Sequence, residues 1–327
     1  MTHHRPLLRA AAITTSIGMM ALALPAAAQD KYPSRSVEIV VPFAAGGGTD
    51  VLARLLADGL SRRLGQSFVV LNRPGANTNL GTQLVAKAKP DGYTLVMASL
   101  GIAANSSLYR KLGYDPASDL APISLLANAP TMLVVHPSFP ANTLAEFIAY
   151  VKANPGKLNY ASYGAGSGPH LATELFKSMT GADIVHVPFN GGGPAAIAVT
   201  GNQVQMLFAS VLPVLSLVRS GNLKPIAIAA NKRSPLLPNV PTFKEGGLAY
   251  ETGTWFGLLA PAKTPQAIVD ALYANTIDVL KDPGLRSKMS GQGADVVGNT
   301  PAQFRAHIEA ETARLAKVIK NAKIQLD

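Results

Sequence analysis

The sequence contains no cysteine, one tryptophan and only 15% charged residues in 327 positions. Without cysteine the chain can form neither a disulfide nor a lipid-modified amino terminus after processing. Acidic residues are few, 19 against 29 lysines and arginines, which gives a formal net charge of +10. The basic residues are spread out and form none of the runs that are typical of nucleic-acid binding, so we expect no nucleic-acid partner.

A hydrophobic stretch long enough to span a membrane is also missing. The apolar run near the start extends from Ala10 to Leu24, about 15 residues, whereas a spanning helix needs about 20. It follows two arginines, Arg5 and Arg9, and ends in the small-residue sequence Ala-Ala-Ala. These features predict a cleaved secretory signal peptide over residues 1–28 and a periplasmic mature protein.

Short β-rich runs alternate with helical spacings along nearly the whole remaining chain, which is typical of an α/β fold with sheets covered by helices. The predicted strands are VEIVV (37–41), FVVL (68–71), YTLVMA (93–98), TMLVVH (131–136), LNYAS (158–162), IVHVP (184–188), VQMLFA (204–209), PIAIAA (225–230) and WFGLLA (255–260). About 300 residues exceed what one core usually supports. We therefore expect two domains, residues 29–125 plus 252–327 and residues 126–251, with a ligand cleft between them.

Two strands are followed directly by a glycine-rich loop and a helix. The first loop, Phe43 to Asp50, contains Gly-Gly-Gly, and the second, Tyr163 to His170, contains Gly-Ala-Gly-Ser-Gly. The first NH groups of a helix have no partner within the helix, so such a terminus attracts anions. Glycine lets a ligand approach the main chain closely. The pattern predicts two anion-binding helix starts, one in each domain, that face the same cleft.

Motifs of catalysis and of cofactor binding do not fit these loops. Thr49-Asp50 stand where a nucleotide-binding loop needs Lys, and Ala165 and Pro169 stand where a nucleophile elbow needs Gly. No His pair has metal-ligand spacing. We expect no cofactor, no metal and no catalytic residue. Asp50 is predicted to organise its loop, and His170 either contacts the ligand or caps its loop.

Six motifs, which together span nearly the whole mature chain, resemble the periplasmic substrate-binding proteins of tripartite tricarboxylate transporters, the Bug family. They are YPSRSVEIVVPFAAGGGTDVLARLLA (32–57), VVLNRPGANTNLGTQLVAKAKPDGYTLVMA (69–98), NYASYGAGSGPHLATELF (159–176), HVPFNGGGPA (186–195), KRSPLLPNVPTFKEGGL (232–248) and WFGLLAPAKTP (255–265). The resemblance implies a two-domain type II periplasmic binding protein, a Venus flytrap, in which each domain is a mostly parallel sheet flanked by helices. It also implies that backbone groups of both loops, together with ordered waters, hold one carboxylate of the ligand.

The resemblance yields an expected function, an expected site and expected partners. We expect a non-enzymatic receptor that captures a di- or tricarboxylate, an aromatic carboxylate or an acidic amino acid. It would act as a monomer and deliver the ligand to integral membrane transporter subunits. The expected ligand-binding residues are Phe43, Ala44, Ala45, Gly46, Gly47, Gly48, Thr49, Asp50, Ser99, Tyr163, Gly164, Ala165, Gly166, Ser167, Gly168, His170, Asn190, Phe208, Ala209 and Ser210.

Three positions depart from the usual pattern of the family. Gly75-Ala76-Asn77-Thr78-Asn79-Leu80-Gly81 replaces GAGGNIG, Asn190 replaces a Lys, and Ala209 lies where an acidic residue is common. The neutral residues predict that the far end of the ligand carries no ammonium group. Two other functions stay open: a sensory receptor that docks on a membrane kinase, and an exported α/β hydrolase that uses Ser167 and His170.

Overall fold

The computed structural model describes residues 1–2, 32–321 and 324–326, so the predicted signal peptide lies almost entirely outside the described residues. The described strands are β1 (Val37–Val41), β2 (Phe68–Asn72), β3 (Thr94–Ser99), β4 (Leu120–Val135), β5 (Asn159–Ser162), β6 (Val185–Pro188), β7 (Met206–Ser210), β8 (Lys224–Ile228), β9 (Gly253–Pro261) and β10 (Asp295–Val296). The described helices are α1 (Gly48–Leu64), α2 (Asn79–Ala86), α3 (Gly101–Leu108), α4 (Leu144–Ala153), α5 (Gly168–Thr180), α6 (Gly192–Thr200), α7 (Leu215–Arg219), α8 (Gln266–Lys281), α9 (Pro283–Gly291) and α10 (Pro301–Asn321). None of these helices is both long enough and apolar enough to cross a membrane.

The strands form one sheet in the order β2-β1-β3-β9-β4-β7-β5-β6, with β8 and β10 also paired to β4. Strands β1, β2 and β3 pair in parallel, as do β5, β6 and β7, whereas β4 and β9 run antiparallel to their neighbours. We call the strands on the β9 side of β4 the first half of the sheet and those on the β7 side the second half. Each half carries one strand-loop-helix unit with a glycine-rich loop.

Strand β4 joins the two halves because it changes partners along its length. Residues 120–130 pair with β9, and residues 131–135 pair with β7 and β8. The sequence analysis predicted only the second part of this strand. The first part contains Pro122 and Pro130, and proline normally argues against a central strand because it cannot donate a ladder hydrogen bond. The sheet accommodates Pro122 next to an irregularity in the β4–β9 register.

Alternation of side chains along the strands produces a hydrophobic core on each face of each half. In β4, Leu133 and Val135 point into one core while Met132 and Val134 point into the core on the opposite face. This is the period-two pattern expected for strands covered on both sides. The helices α1 and α5 lie on these faces, so the sheet fixes where their first residues point.

Candidate functional site

The first glycine loop connects β1 to α1 and leaves the start of the helix uncapped. Gly46 has a left-handed backbone with φ of 83°, a conformation that costs glycine little. Gly47, the residue before α1, is extended, and no side chain among the described residues caps the helix there. The first NH groups of α1 therefore lack a side-chain partner, which is the arrangement that binds anions.

Asp50 holds this loop in shape from within the first turn of α1. Its carboxylate accepts hydrogen bonds from the backbone NH of Gly46 (3.0 Å), from Asn72 Nδ2 (3.0 Å) and from Arg54 Nε. Burial would raise the pKa of Asp50, but the hydrogen bonds from Arg54, Gly46 and Asn72 outweigh it and lower the pKa. Asp50 is thus ionised and fully engaged in the loop, as the sequence analysis predicted.

The second glycine loop connects β5 to α5 and has the same construction. Gly166 is left-handed with φ of 78°, and Ser167 before α5 is extended without a side-chain cap from any described residue. The NH of Gly166 donates to His170 Nδ1 at 2.8 Å. Of the two roles open to His170, the structure therefore shows the loop cap.

Corresponding positions of the two loops differ by 120 in residue number. In each loop a left-handed glycine (Gly46 or Gly166) is followed by an extended residue. The acceptor for that glycine's NH (Asp50 or His170) lies four residues after the glycine, in the first turn of the helix. In one loop the acceptor is a carboxylate and in the other a neutral imidazole. Each acceptor binds an NH that precedes the helix, so it leaves the helix start itself open.

The imidazole of His170 stays neutral because it is buried in a stack of aromatic rings. Its ring lies parallel to that of His186, with 4.0 Å between centroids. Burial, and to a lesser extent the charge of Lys177, lowers the pKa of His170 to about 4. A neutral ring with an unprotonated Nδ1 is what the hydrogen bond from Gly166 requires.

The two helix starts open into one cavity between the halves of the sheet. The cavity is lined by Phe43, Gly47, Gly48, Thr49, Asn77, Ser99, Leu100, Gly101, Tyr163, Ser167, Gly168, Pro169, Gly192, Ser210, Thr254 and Phe256. It is narrow, with about 20 Å³ of free space, which is room for about one water molecule. The carboxylates expected from the sequence are larger than this space.

The narrow cavity results from direct contact between loops of the two halves. The NH of Ala44 donates to the carbonyl of Asn190 at 3.4 Å. A Cβ placed on Gly47 would lie 3.5 Å from the backbone nitrogen of Gly192. The main chains of the two halves therefore lie directly against each other at these contacts.

The structure brings nine of the expected site residues together in the cavity. These are Phe43, Gly47, Gly48, Thr49, Ser99, Tyr163, Ser167, Gly168 and Ser210. The cavity does not reach the other expected residues. They are Ala44, Ala45, Gly46, Gly164, Ala165, Gly166 and Asn190 in the loops, Asp50 and His170 as loop acceptors, and Phe208 and Ala209, which are fully buried in β7.

Seven of the residues that line the cavity were not predicted from the sequence. They are Asn77, Leu100, Gly101, Pro169, Gly192, Thr254 and Phe256. Pro169 and Gly192 lie within the glycine-rich motifs given above, and Gly101 begins a helix directly after β3. Inspection of every junction between a strand and a helix would therefore have found these three residues. Thr254 and Phe256 lie inside β9, where the sequence gives no signal of their role.

Among the residues that the structure describes, no charged side chain lines the cavity. Its polar groups are hydroxyls and one amide, and three of them are buried without a hydrogen-bond partner in the described chain: Tyr163 Oη, Ser167 Oγ and Asn77 Oδ1. Burial raises the pKa of Tyr163 despite the nearby Ser210, so Tyr163 stays protonated and able to donate. Buried polar atoms normally have partners. The hydroxyls of Tyr163 and Ser167, together with the open helix starts, can donate to an anion.

Comparison with known proteins agrees with this geometry. The sequence profile described as the tripartite tricarboxylate transporter family receptor matches residues 52–324. Protein BugT of Bordetella pertussis is 38% identical over 319 residues, which cover 97% of this chain and 98% of BugT. Among solved structures, an R. palustris protein with adipate is 40% identical with a TM-score of 0.87, over 90% of this chain and 99% of that chain. MatC from Rhodopseudomonas palustris with bound malate is 35% identical with a TM-score of 0.83, over 88% of this chain and 100% of that chain.

These matches extend over most of the chain. The chain has the two-domain α/β fold of the periplasmic binding proteins that it resembles, which confirms the predicted fold class. It belongs to the tripartite tricarboxylate transporter family receptors, the Bug family of periplasmic solute-binding proteins.

Proposed function

We propose that this chain is a non-enzymatic periplasmic receptor that encloses a small carboxylate and presents the closed form to integral membrane transporter subunits. One observation carries the proposal: the uncapped starts of α1 and α5 open into the same neutral cavity. A negative charge between two helix N-termini is stabilised by both dipoles and by the free NH groups. The adipate and malate in the two R. palustris structures support the same ligand class.

Isothermal titration tests this proposal. The panel consists of succinate, malate, adipate, citrate, benzoate, aspartate and glutamate. We expect at least one member to bind with a Kd near micromolar, which corresponds to about −8 kcal/mol. Failure of the whole panel to bind to folded protein would contradict the proposal.

Closure of the halves around the ligand gives a second, independent measurement. Trp255, the single tryptophan of the chain, lies on β9 between the cavity residues Thr254 and Phe256. It is 3% exposed. Because β9 pairs with β4, which joins the two halves, we expect ligand to change the fluorescence of Trp255. The apparent Kd should match that from titration.

We propose that the chain does not use Ser167 and His170 as a catalytic pair. His170 Nδ1 already accepts the NH of Gly166, and Ser167 Oγ has no hydrogen-bond partner in the described chain. A nucleophilic serine needs an adjacent base within hydrogen-bond reach. Turnover of an ester substrate that disappears in Ser167→Ala would overturn this proposal.

The remaining proposals concern the domains, the export and the partners. The partner change of β4 at Pro130 and Thr131, together with the start of β9 at Gly253, supports domain crossings close to the expected residues 125 and 252. We propose a monomer that is secreted with removal of residues 1–28. Amino-terminal sequencing and light scattering on exported protein test these two points. Capture of a transporter subunit or of a membrane kinase from native membranes distinguishes a transport receptor from a sensory receptor.

A further inference from the structure

The loop between β2 and α2 holds three consecutive non-glycine residues in the left-handed region. Ala76, Asn77 and Thr78 have φ of 44°, 46° and 75°. Only one other residue of the described chain apart from glycine, Asn202, has a positive φ. This conformation is unfavourable for a residue with a Cβ, and most of all for the β-branched Thr78. Strain of this kind is often found at ligand sites.

Asn77 lines the cavity, and a buried network fixes the orientation of its side-chain amide. Asn105 is fully buried. Its Nδ2 donates its two hydrogens to the carbonyl of Asn77 (2.8 Å) and to Asn79 Oδ1 (2.5 Å), and Thr78 Oγ1 lies 3.4 Å away. With the amide of Asn105 oriented in this way, its Oδ1 accepts from Asn77 Nδ2 at 2.7 Å. The opposite atom, Asn77 Oδ1, is left without a partner.

Asn77 Oδ1 differs in chemistry from the other unpartnered groups of the cavity. Tyr163 Oη and Ser167 Oγ are hydroxyls, which can donate to a carboxylate, whereas an amide oxygen can only accept. An ionised carboxylate also only accepts, so a carboxylate of the ligand cannot pair with Asn77 Oδ1. A hydroxyl on the ligand would donate to it. An ammonium group would also donate, but among the described residues no acidic side chain lines the cavity to balance its charge.

We propose that Asn77 Oδ1 accepts a hydrogen bond from a hydroxyl of the ligand, so that the receptor selects hydroxycarboxylates over carboxylates of the same charge and length. This inference rests on the proposed function, because it concerns the same cavity. A site that must pair a buried polar atom discriminates against analogues that lack the partner. We expect the hydroxylated ligand to bind at least about tenfold more tightly, which corresponds to about 1.4 kcal/mol.

Titration of wild-type protein with matched pairs gives the first test and requires no variant. The pairs are malate and succinate, citrate and tricarballylate, and 3-hydroxyadipate and adipate, with both enantiomers of each chiral acid. We expect one hydroxylated member to bind most tightly and to exceed its partner by about tenfold or more. Binding of the pairs without any such preference overturns the inference and leaves the receptor function standing. Absence of binding by every compound overturns the receptor function itself.

The variant Asn77→Gly tests the residue. Glycine adopts φ of 46° without strain and removes the acceptor, so we expect the ratio of the two affinities in the pair to fall to about one. The matched control is Asn202→Gly, because Asn202 is also left-handed, with φ of 54°, and lies outside the cavity. The control should retain the preference.

A crystal structure with the preferred ligand gives an outcome that does not depend on the variant's stability. We expect a ligand hydroxyl oxygen within about 3 Å of Asn77 Oδ1. A preference that survives in Asn77→Gly, or a bound ligand whose hydroxyl faces another residue, overturns the assignment to Asn77.

Discussion

The substitution Gly47→Val examines whether the first loop holds the ligand. Gly47 has φ of −81° and ψ of 168°, an extended backbone that any residue can adopt. A Cβ there would lie 3.5 Å from the backbone nitrogen of Gly192 and 3.8 Å from the carbonyl oxygen of Ala44, which are ordinary contacts. The two methyl groups of valine extend beyond that position, into the space in front of the helix start. The fold should therefore tolerate the change while the ligand is displaced.

The size of the effect follows from the interactions that a displaced carboxylate loses. One hydrogen bond from an NH to a charged group contributes about 1.5–3 kcal/mol, and the dipole at an exposed helix start adds about 0.3–1 kcal/mol. Together these interactions amount to about 2–4 kcal/mol, and their loss weakens binding about 30- to 900-fold. Gly47→Ala adds only the Cβ, so its effect should be much smaller.

Isothermal titration with the tightest ligand of the panel measures the effect on binding, and thermal unfolding without ligand measures the effect on the fold. Gly291→Val is the matched control, because a Cβ at Gly291 contacts nothing within 4 Å and the residue lies outside the cavity. Both variants should unfold within a few degrees of wild type, as expected for changes of about 1 kcal/mol. Wild-type affinity in correctly folded Gly47→Val would refute the assignment of this loop to the site.

Three further predictions concern stability. The pKa of His170 is lowered to about 4. Between pH 6.5 and about 4 the unfolded chain therefore binds a proton that the folded chain does not. The free energy of unfolding should fall by at most about 3 kcal/mol as the pH drops through this window. His170→Gln should flatten that dependence in urea unfolding at pH 7, 5.5 and 4.5. Asp50→Ala removes the acceptor of the loop NH and should cost about 1–2 kcal/mol in urea unfolding at pH 7, whereas Asp50→Asn, which keeps an acceptor, should cost less. In Gly257→Ala the new Cβ overlaps the buried ring of Phe304, which should cost about 1–3 kcal/mol of stability. Phe304→Leu in that background should recover part of the loss. An unaltered urea-unfolding midpoint in Gly257→Ala would contradict the packing.

The strands and the two glycine loops could be predicted from the sequence because each depends on neighbours in the chain. The alternation of apolar residues in VEIVV places Val37, Ile39 and Val41 on one face of β1, and the structure buries all three in one core. Likewise the loops before α1 and α5 are recognisable because a helix start after glycine has open NH groups whatever surrounds it. The roles of Asp50 and His170 are also local, since each accepts an NH four residues earlier in its own loop.

The composition of the cavity was decided by tertiary structure. Thr254 and Phe256 lie on β9 and are separated by more than 200 residues from Phe43, yet the sheet brings all three into one cavity. Neighbouring residues of β7 show the same limit. Ser210 lines the cavity, while Phe208 and Ala209 are buried in cores on opposite faces of the sheet. Their separation depends on where the strand ends relative to the loops, which no local pattern encodes.

The sequence by itself determined that the chain has two open helix starts with acceptors that shape their loops. It also determined, through its motifs, the family to which the chain belongs. Only the tertiary structure decided that both starts face one neutral cavity and that Asn77, whose Oδ1 is buried without a partner in the described chain, lines it. The physical reason is the distance along the chain between the residues that interact. Periodicity and capping arise from contacts within a few residues, whereas the convergence of α1 and α5 depends on how β4 and β9 align two halves of a sheet that are far apart in the chain.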